Sequence, residues 1–323
     1  MIKLSIIIPF YNTFSQSKCV LERIEHNLNS YGDIEFILVD DGSTDSTYEK
    51  LLNYFKEYQE NPNLILLTQK NKGPGGARNN GLSNAHGEYV WFVDSDDDFF
   101  VDAIYEDLVN DHGDIDFIDY NYFKNNVINN SMELEEGVYD SQSVDLYMCL
   151  GRLWTKLFKR EFILQNNIQY PEYCIYEDNY LVYVLPKYIK KFKKSNRVSY
   201  VYSQDNDSIT RNRKLPPKYF DRVITSYNGI YNSTCDLRYS LFLRFNEMFL
   251  TNTLFFILRK LSFNEFKTIY YLISTYNFIV MDLNVKYKPL SWKSRIIELV
   301  RFFFPSRNYI NYFLIRNKKL WKR

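Results

Sequence analysis

The chain has 323 residues, of which 46% are hydrophobic, 18% aromatic and 24% charged, and its net charge is +1. This composition excludes a disordered chain, and the length predicts one large core with a smaller appended unit. The charge is unevenly divided, because residues 286–323 carry eleven Lys or Arg against a single acid, Glu298. The C-terminal tail is therefore strongly basic, unlike the rest of the chain.

The first 120 residues alternate between short apolar runs and segments with helical spacing. We predict strands at 4–10, 35–41, 63–69 and 87–94, and helices at 15–30, 46–60 and 74–86. Such alternation predicts a parallel sheet with helices on both faces, in which ligands bind beyond the carboxyl ends of the strands. The polar motifs of this region each follow a predicted strand, so they should lie at one edge of the sheet.

The pattern after residue 113 is less regular. Residues 114–130 predict a further strand or hairpin, residues 141–150 a helix, and residues 154–165 an amphipathic segment. Another helix should begin at Glu177-Asp178, and residues 191–204 return to the alternation of a strand. Beyond Pro217 the pattern is mostly helical and rich in Tyr and Phe.

An acidic run follows the fourth predicted strand. Residues 91–100 read WFVDSDDDFF, which places four acids within five positions. Their mutual repulsion lowers stability at neutral pH unless a cation neutralises them. Acids after a strand also cap helices, which would explain one or two of the four.

Two further motifs follow the second and third predicted strands. Residues 39–47, VDDGSTDST, fit a capped turn, or acids that accept from a base imide or a ribose hydroxyl. Residues 71–81, NKGPGGARNNG, fit neither the GxGxxG nor the Walker pattern. Glycines at a helix start followed by Arg78 suit an anionic ligand, and a helix start with a surface arginine is the alternative.

As a set, these motifs resemble the inverting glycosyltransferases of family two, nucleotide-sugar enzymes of GT-A fold. The resemblance runs through SIIIPFYN, EFILVDDGSTDST, NKGPGGARNNGLSNAHGEYVWFVDSDDDF, WTKLFKREF, YEDNYL and YSQDNDSIT, roughly residues 4–211. It implies an α/β GT-A catalytic domain at 1–215, with a mostly parallel, Rossmann-like sheet flanked by helices. The nucleotide-sugar half would be at about 1–112, the acceptor half at about 113–215, and a helical C-terminal region at 216–323.

The resemblance also implies roles for residues that bind the donor, namely Pro9, Tyr11, Asp41, Arg78, Asp94, Ser95 and Asp96. Tyr11 would stack on the base, Asp41 would read its imide edge, and Arg78 would lie near the phosphates. Asp94-Ser95-Asp96 is similar to the DxD motif, so Asp96, with Asp94, would hold Mn²⁺ or Mg²⁺ against the diphosphate. Asp97 and Asp98 would then cap a helix that begins at Phe99.

Glu177-Asp178 resembles the ED motif of the family. Asp178 would be the general base that takes the proton of the acceptor hydroxyl, and Glu177 would orient the acceptor or the base. A helix N-cap is the alternative for Asp178. The acceptor side would include Trp154 and Lys156, although a core position is the alternative for Trp154. Ser208, Thr210 and Arg211 resemble a loop that closes over the diphosphate.

The implied reaction is metal-dependent transfer of a sugar, with inversion, from a nucleotide donor to a hydroxyl of a growing glycan. UDP is the favoured nucleotide, and a polyprenol-linked acceptor fits an enzyme of bacterial capsule or O-antigen assembly. Two alternatives remain open. A nucleotidyltransferase would share the nucleotide site and the acidic metal ligands but would need no base at Asp178, and a glycan-binding or scaffold subunit would keep the fold without turnover.

Location is inferred from cysteine usage, the N-terminus and the tail. Cys19, Cys149, Cys174 and Cys235 are scattered, as expected for buried thiols in a reducing compartment, and the N-terminal apolar run is too short for a signal peptide. We therefore expect a cytoplasmic protein.

The segment 291–304 within the basic tail has one apolar helical face, formed by Trp292, Ile296, Leu299, Val300 and Phe303. Basic residues beside interfacial aromatics favour a peripheral helix on an anionic membrane surface, here the inner face of the cell membrane. Packing of this face on the catalytic domain is an equal alternative. We expect no nucleic-acid partner, because no recognised binding fold accompanies the charge.

Overall fold

The computed structural model describes residues 1–203, with the exception of residues 111, 145, 175 and 176. The predictions for Ser208, Thr210, Arg211, the helical C-terminal region and its basic tail lie outside the described residues. The described strands are β1 (Leu4–Phe10), β2 (Ile34–Asp40), β3 (Leu64–Thr68), β4 (Tyr89–Phe92), β5 (Asp98–Phe99), β6 (Phe117–Lys124), β7 (Val127–Asn129), β8 (Gly137–Asp140), β9 (Lys156–Lys159) and β10 (Lys191–Val201). The described α-helices are α1 (Lys18–Ser30), α2 (Thr47–Tyr54), α3 (Gly73–Ser83), α4 (Asp102–Val109), α5 (Leu146–Cys149), α6 (Arg160–Gln165) and α7 (Glu177–Val184).

The strands form one sheet in the order β3-β2-β1-β4-β9-β6-β10-β5, with β7 paired to β6 and β8 paired to β10. The first four strands of this order are parallel to one another. From β9 onward the pairs are antiparallel, apart from the parallel pair β6 and β10. The predicted alternation of strands and helices is confirmed for the first 92 residues, but the sheet as a whole is mixed rather than mostly parallel.

Apolar side chains fill both faces of the sheet. Every residue of β1 and β2 is buried, as expected for central parallel strands covered on both sides. One core contains Ile6 and Ile8, and the other contains Ile7 and Val39, because successive side chains of a strand point to opposite faces. Helix α3 lies close against β1, since a Cβ on Gly81 would meet Ile7 Cγ2 at 2.3 Å.

Two predicted elements differ in the structure, and a third agrees with it. Residues 154–165 are divided into a 3-10 turn, strand β9 and helix α6 rather than forming one segment, because β9 pairs antiparallel with both β4 and β6. The helix predicted at 141–150 is reduced to α5, and β8 precedes it without a sequence signal that we recognised. Of the strand or hairpin predicted at 114–130, the hairpin is found: β6 and β7 are joined through Asn125 and Asn126, both with positive φ.

Cysteine burial is also corrected. Cys19 is exposed and Cys149 is half-buried, whereas Cys174 is buried as predicted. Cys235 lies outside the described residues. Among the described helices, none is both long enough and apolar enough to cross a membrane.

Candidate active site

The loops after β1, β2 and β4 meet at one edge of the sheet, as the sequence predicts. Ser43 Oγ accepts the Asn12 N–H at 2.9 Å, which joins the loops after β1 and β2. The hydroxyls of Thr13 and Ser95 are bonded at 2.9 Å, which joins the loop after β1 to the acidic turn after β4. The parallel pairing of these strands therefore gathers three of the predicted motifs into one site.

Tyr11 and Pro9 differ in their exposure at this edge. The side chain of Tyr11 follows β1 and is 48% exposed, so its ring is accessible to a ligand. Pro9 is buried within β1, opposite Val39 of β2. The resemblance assigns both residues to donor binding, but only Tyr11 has an accessible surface.

Asp41 is held by three donors of the chain itself. Its carboxylate accepts Gln69 Nε2 at 2.7 Å and the N–H groups of Lys72 and Gly73 at 2.8 Å each. Burial raises the pKa of Asp41, against the lowering effect of these donors. Asp41 is thus an anion at the N-terminus of α3, and it accepts the Lys72 and Gly73 N–H groups there.

The neighbouring Asp40 is buried at the end of β2. Its Oδ2 accepts the Ser43 N–H at 3.2 Å and the Thr68 hydroxyl at 3.3 Å. Its Oδ1 has no hydrogen-bond partner among the described residues. Asp40 and Asp41 thus have different surroundings although they are adjacent in the chain.

The glycine-rich start of α3 packs against the loop 170–174. A Cβ on Gly75 would lie 2.2 Å from the carbonyl oxygen of Pro171, so only glycine fits at this approach. The Lys72 carbonyl accepts the Tyr173 N–H at 2.5 Å, and Lys72 Nζ lies 3.2 Å from Glu172 Oε1. These glycines therefore serve the contact between a helix and a loop.

Arg78 lies on α3 and is buried, so it is not the surface arginine of the alternative interpretation. Its Nη2 donates to Asp94 Oδ1 at 2.6 Å, and its Nη1 donates to Glu177 Oε1 at 2.5 Å. Burial works against its charge, but Asp94 and Glu177 together raise the pKa of Arg78 well above its ordinary value. One guanidinium therefore connects the acidic turn after β4 with the start of α7.

Tyr170 lies among the charged groups of the site, although it belongs to none of the sequence motifs. Its ring is 5.2 Å from the Arg78 guanidinium carbon. Burial raises the pKa of its hydroxyl; Arg78 opposes this rise, whereas Glu177, Asp178 and Asp94 add to it. The pKa of Tyr170 thus depends both on Asp94, in the turn proposed to bind a cation, and on Asp178, the proposed general base.

Glu177 and Asp178 are adjacent in the first turn of α7 but differ in exposure. Glu177 is 7% exposed and bonded to Arg78. Asp178 is exposed to solvent. Helix α7 begins at Glu177, so Asp178 lies within its first turn rather than at the N-cap position of the alternative interpretation.

The carboxylates of the acidic turn differ in their burial. Asp94 and Asp96 are half-buried, and the side chain of Asp94 is 31% exposed. Asp97 is buried and accepts the Tyr200 hydroxyl and the Ser203 N–H, each at 2.7 Å. Burial, together with the charges of Asp94 and Asp96, raises the pKa of Asp97 to about 8. Its burial and these two neighbouring charges thus disfavour ionisation of Asp97.

The predicted capping role of Asp97 and Asp98 is wrong. Asp98 lies in β5, and α4 begins at Asp102 rather than at Phe99. Asp98 instead accepts Arg23 Nε at 3.1 Å and Arg23 Nη2 at 3.0 Å. Both carboxylates thus fix the turn to the rest of the fold.

The sequence family is established by a match that starts in β1 and ends in the loop packed against α3. The model of Glycosyl transferase family 2 matches residues 5–173, just over half of the chain. The chain belongs to glycosyl transferase family 2.

Three relatives illustrate how this family 2 chain compares with others. Glycosyltransferase GlyA of Streptococcus pneumoniae is 29% identical over 231 residues, which are 65% of this chain and 32% of that protein. Poly(ribitol-phosphate) beta-glucosyltransferase of Bacillus spizizenii is 32% identical over 203 residues, 62% of this chain and 32% of that protein. Cholesterol galactosyltransferase of Borreliella burgdorferi is 28% identical over 272 residues, 75% of this chain and 73% of that protein. The chain thus spans about one third of the length of the first two relatives.

A solved structure establishes the fold of this family 2 protein. Residues 1–349 of TarS from S. aureus, in complex with UDP-GlcNAc, align with a TM-score of 0.62 and 20% identity. The alignment covers 85% of this chain and 81% of the TarS chain. The GT-A fold expected from the sequence is thereby confirmed.

The acceptor-side prediction for Lys156 is corrected. Lys156 on β9 is fully buried, and its Nζ donates to Asp119 Oδ1 and to the Arg152 carbonyl at 2.8 Å each. The same carboxylate lies 3.5 Å from Lys194 Nζ, and burial lowers the pKa of both lysines. Lys156 thus belongs to a polar cluster inside the fold, away from any surface that an acceptor could reach.

Trp154 packs within an aromatic group. Its ring stacks on Tyr200 at 4.4 Å and on Tyr202 at 5.6 Å between centroids, and Tyr122 meets it edge-on at 4.9 Å. Tyr200 is the residue that bonds Asp97, so Trp154 supports the acidic turn through one intervening ring. Its predicted contact with an acceptor stays a prediction.

The described residues contain no cluster of three or more His, Cys, Asp or Glu side chains that could hold a metal ion by themselves. A cation at Asp94 and Asp96 would therefore need oxygen ligands from a substrate. This donor set fits Mg²⁺ or Mn²⁺, because such ions commonly bind through one or two carboxylates together with phosphate oxygens.

Proposed function

We propose that this protein is a metal-dependent, inverting glycosyltransferase that moves a sugar from a UDP-linked donor to a hydroxyl of a growing surface glycan. One observation carries the proposal: Arg78 joins the Asp94 turn and the Glu177-Asp178 start of α7 within one site. Such a site brings an acidic cation-binding turn close to an exposed carboxylate, which is what direct displacement at a sugar carbon requires.

In the proposed reaction, the acceptor oxygen attacks the anomeric carbon while the bond from that carbon to the diphosphate breaks. Asp178 receives the proton of the acceptor hydroxyl, since it is the exposed member of the Glu-Asp pair. Glu177 holds the start of α7 through its bond to Arg78. A divalent cation bound at Asp96 and Asp94 would supply positive charge for the leaving diphosphate.

The donor site would be formed by Tyr11, Asp41, Ser95 and the acidic turn. The accessible ring of Tyr11 suits stacking on a base, and Asp41 retains acceptor capacity beyond its three bonds, because two carboxylate oxygens offer about four lone-pair sites. The crystal structures of TarS with UDP-GlcNAc and with UDP support a uridine nucleotide for this chain by analogy.

The acceptor is proposed from the relatives and the tail. One relative is named for poly(ribitol-phosphate) and another for cholesterol, and these names support a glycan acceptor at the cell surface that is linked to a lipid of the polyprenol type. A peripheral position on the inner face of the cell membrane would follow from the basic tail, and it rests on sequence alone.

Product analysis with the full-length protein tests the proposed function. Release of UDP that depends on an acceptor is expected, whereas release of pyrophosphate would indicate a nucleotidyltransferase and no turnover would indicate a scaffold.

Asp178→Asn should lower turnover by about 10²- to 10⁴-fold, the usual effect of positioned proton transfer, with UDP affinity unchanged by calorimetry. Asp140→Asn removes another exposed acid, at the end of β8, and should leave turnover near that of the wild type. Equal turnover of Asp178→Asn and wild type would exclude Asp178 as the base.

A further inference from the structure

The guanidinium of Arg78 is already occupied by carboxylates of the chain. It is buried, and its two terminal nitrogens donate to Asp94 and to Glu177. Two carboxylates against one guanidinium leave the group with a net negative charge when all three are ionised. Arg78 therefore adds no net positive charge that would attract a diphosphate, which is the role implied by the resemblance.

Helix α3 joins the two sides of the site at consecutive residues. Asn79 Nδ2 donates to the Tyr170 carbonyl at 2.8 Å, and Asn79 Oδ1 accepts the Tyr170 N–H at 2.9 Å. Arg78 binds Glu177, seven residues farther along the same segment of chain, and also binds Asp94 after β4. The segment that leads into α7 is thus fixed to α3 at two points, and Arg78 alone connects it to the acidic turn by ion pairs among the described residues.

We infer that Arg78 is a positioning residue that sets the distance between the Asp94 turn and the start of α7, and that it is not a ligand of the donor phosphates. The inference rests on the proposed function, because it assigns the donor to the Asp94 turn and the base to Asp178. Misplacement of a reacting group by 1 Å can lower a rate by about 10²-fold, so this distance matters for turnover. A planar guanidinium reaches two carboxylates in different directions, whereas a lysine ammonium is a single point charge on a flexible stem.

The decisive measurement compares the binding of UDP and of uridine by calorimetry, in the presence of Mg²⁺, for wild type and Arg78→Lys. A positioning role predicts that the ratio of the two affinities stays within about twofold of wild type, while kcat falls at least tenfold and donor KM changes little. A phosphate ligand predicts the opposite pattern, in which UDP affinity falls at least tenfold and uridine affinity does not change. That second pattern would overturn the inference.

Glu177→Gln provides an independent test that keeps the volume of the side chain. It weakens the bond from Arg78 to Glu177 without changing a residue assigned to the donor phosphates. Lower kcat with an unchanged UDP-to-uridine affinity ratio is expected, and the double variant with Arg78→Lys should lose less than the product of the two single effects. If Arg78→Lys fails to fold, Glu177→Gln alone decides, because unchanged kcat in that variant would overturn the inference. Absence of transfer by the wild-type protein would count against the proposed function instead.

Discussion

The acids between Asp94 and Asp98 have different partners although they lie within five residues. Asp94 pairs with Arg78, Asp97 with Tyr200 and Ser203, and Asp98 with Arg23. Asp97 and Asp98 are thereby committed to the fold, and Asp94 and Asp96 are the two acids proposed to hold a cation. At the scale of single residues, the proposed cation therefore concerns two of the four acids.

Asp96 should decide the response to metal. We expect Asp96→Asn to lose most transfer activity and to bind UDP with an affinity that no longer rises when Mn²⁺ or Mg²⁺ is added, because a carboxylate ligand becomes a neutral amide. Calorimetric titration of UDP with metal and with excess EDTA measures this. Wild-type transfer that persists in excess EDTA would contradict a metal-dependent reaction.

Asp98→Asn is the matched control for this experiment. It removes one charge from the same acidic run but acts on the ion pair with Arg23, which lies on α1. We expect a modest loss of stability, up to about 1 kcal/mol for a partly exposed pair, and an unchanged response of UDP affinity to metal. Equal loss of the metal response in both variants would mean that net charge, rather than ligation by Asp96, is responsible.

Residue types at the ends of strands were readable from the sequence, but their partners were not. The positions of Asp94 and Asp178 followed from their motifs. One partner of Arg78, Glu177, lies 99 residues away and could not be seen in a linear pattern. Lys156 shows the same limit. Its burial depends on Asp119, on a different strand, which compensates its charge.

Helix α3 is the element that holds the site together. Its N-terminus is capped by Asp41, its first turn packs on the loop 170–174, and its second turn carries Arg78 and Asn79. Glycine makes this close packing possible where any larger side chain would collide. Helix α3 therefore connects the edge of the sheet with the proposed donor site to helix α7, which carries the proposed general base.

Gly75→Ala should disturb this packing. The added methyl would meet the Pro171 carbonyl oxygen at 2.2 Å, so the loop must move. We expect a loss of about 1 to 3 kcal/mol of stability from overpacking, reduced by the better helix propensity of alanine, and a fall in kcat of the folded protein. Chemical unfolding and initial-rate kinetics measure the two effects.

Gly32→Ala is the matched control, because a Cβ at Gly32 would meet nothing within 4 Å. Its stability should change by less than about 0.5 kcal/mol, as for other surface substitutions. If Gly75→Ala is as stable and as active as this control, the contact between α3 and the loop does not support the site.

The elements that were predicted well are those whose pattern is set by burial on both faces. β1 and β2 are continuous apolar runs, and their observed bounds agree with the predicted ones within one residue. β8 is only partly buried, and β9 is a four-residue strand that depends on pairing with two neighbours. Short elements of this kind are defined by tertiary contacts, so local periodicity cannot identify them.

At the scale of the whole molecule, a single sheet serves both proposed halves of the GT-A domain. β9 and β6 follow β4 in the sheet order, so the strands after residue 113 extend the sheet of the proposed nucleotide-sugar half. The acidic turn follows β4, which pairs parallel with β1 and antiparallel with β9. A site at the boundary between the parallel and antiparallel parts can receive one substrate from each part.

The basic tail gives the last prediction, which rests on sequence because residues 286–323 lie outside the described part of the chain. Each Lys or Arg near an anionic surface contributes about 1 kcal/mol, and Trp292 and Phe303 would add an apolar contribution that salt does not screen. We expect the full-length protein to sediment with phosphatidylserine vesicles at low salt, less strongly at high salt, and not at all after truncation following Asn284. Transfer to a short soluble acceptor should persist in the truncated protein, because every residue proposed to act in catalysis precedes position 215. Full-length protein that stays in the supernatant at low salt would exclude a membrane role. A truncated protein that is unfolded by circular dichroism would instead show that the aromatic face packs on the catalytic domain.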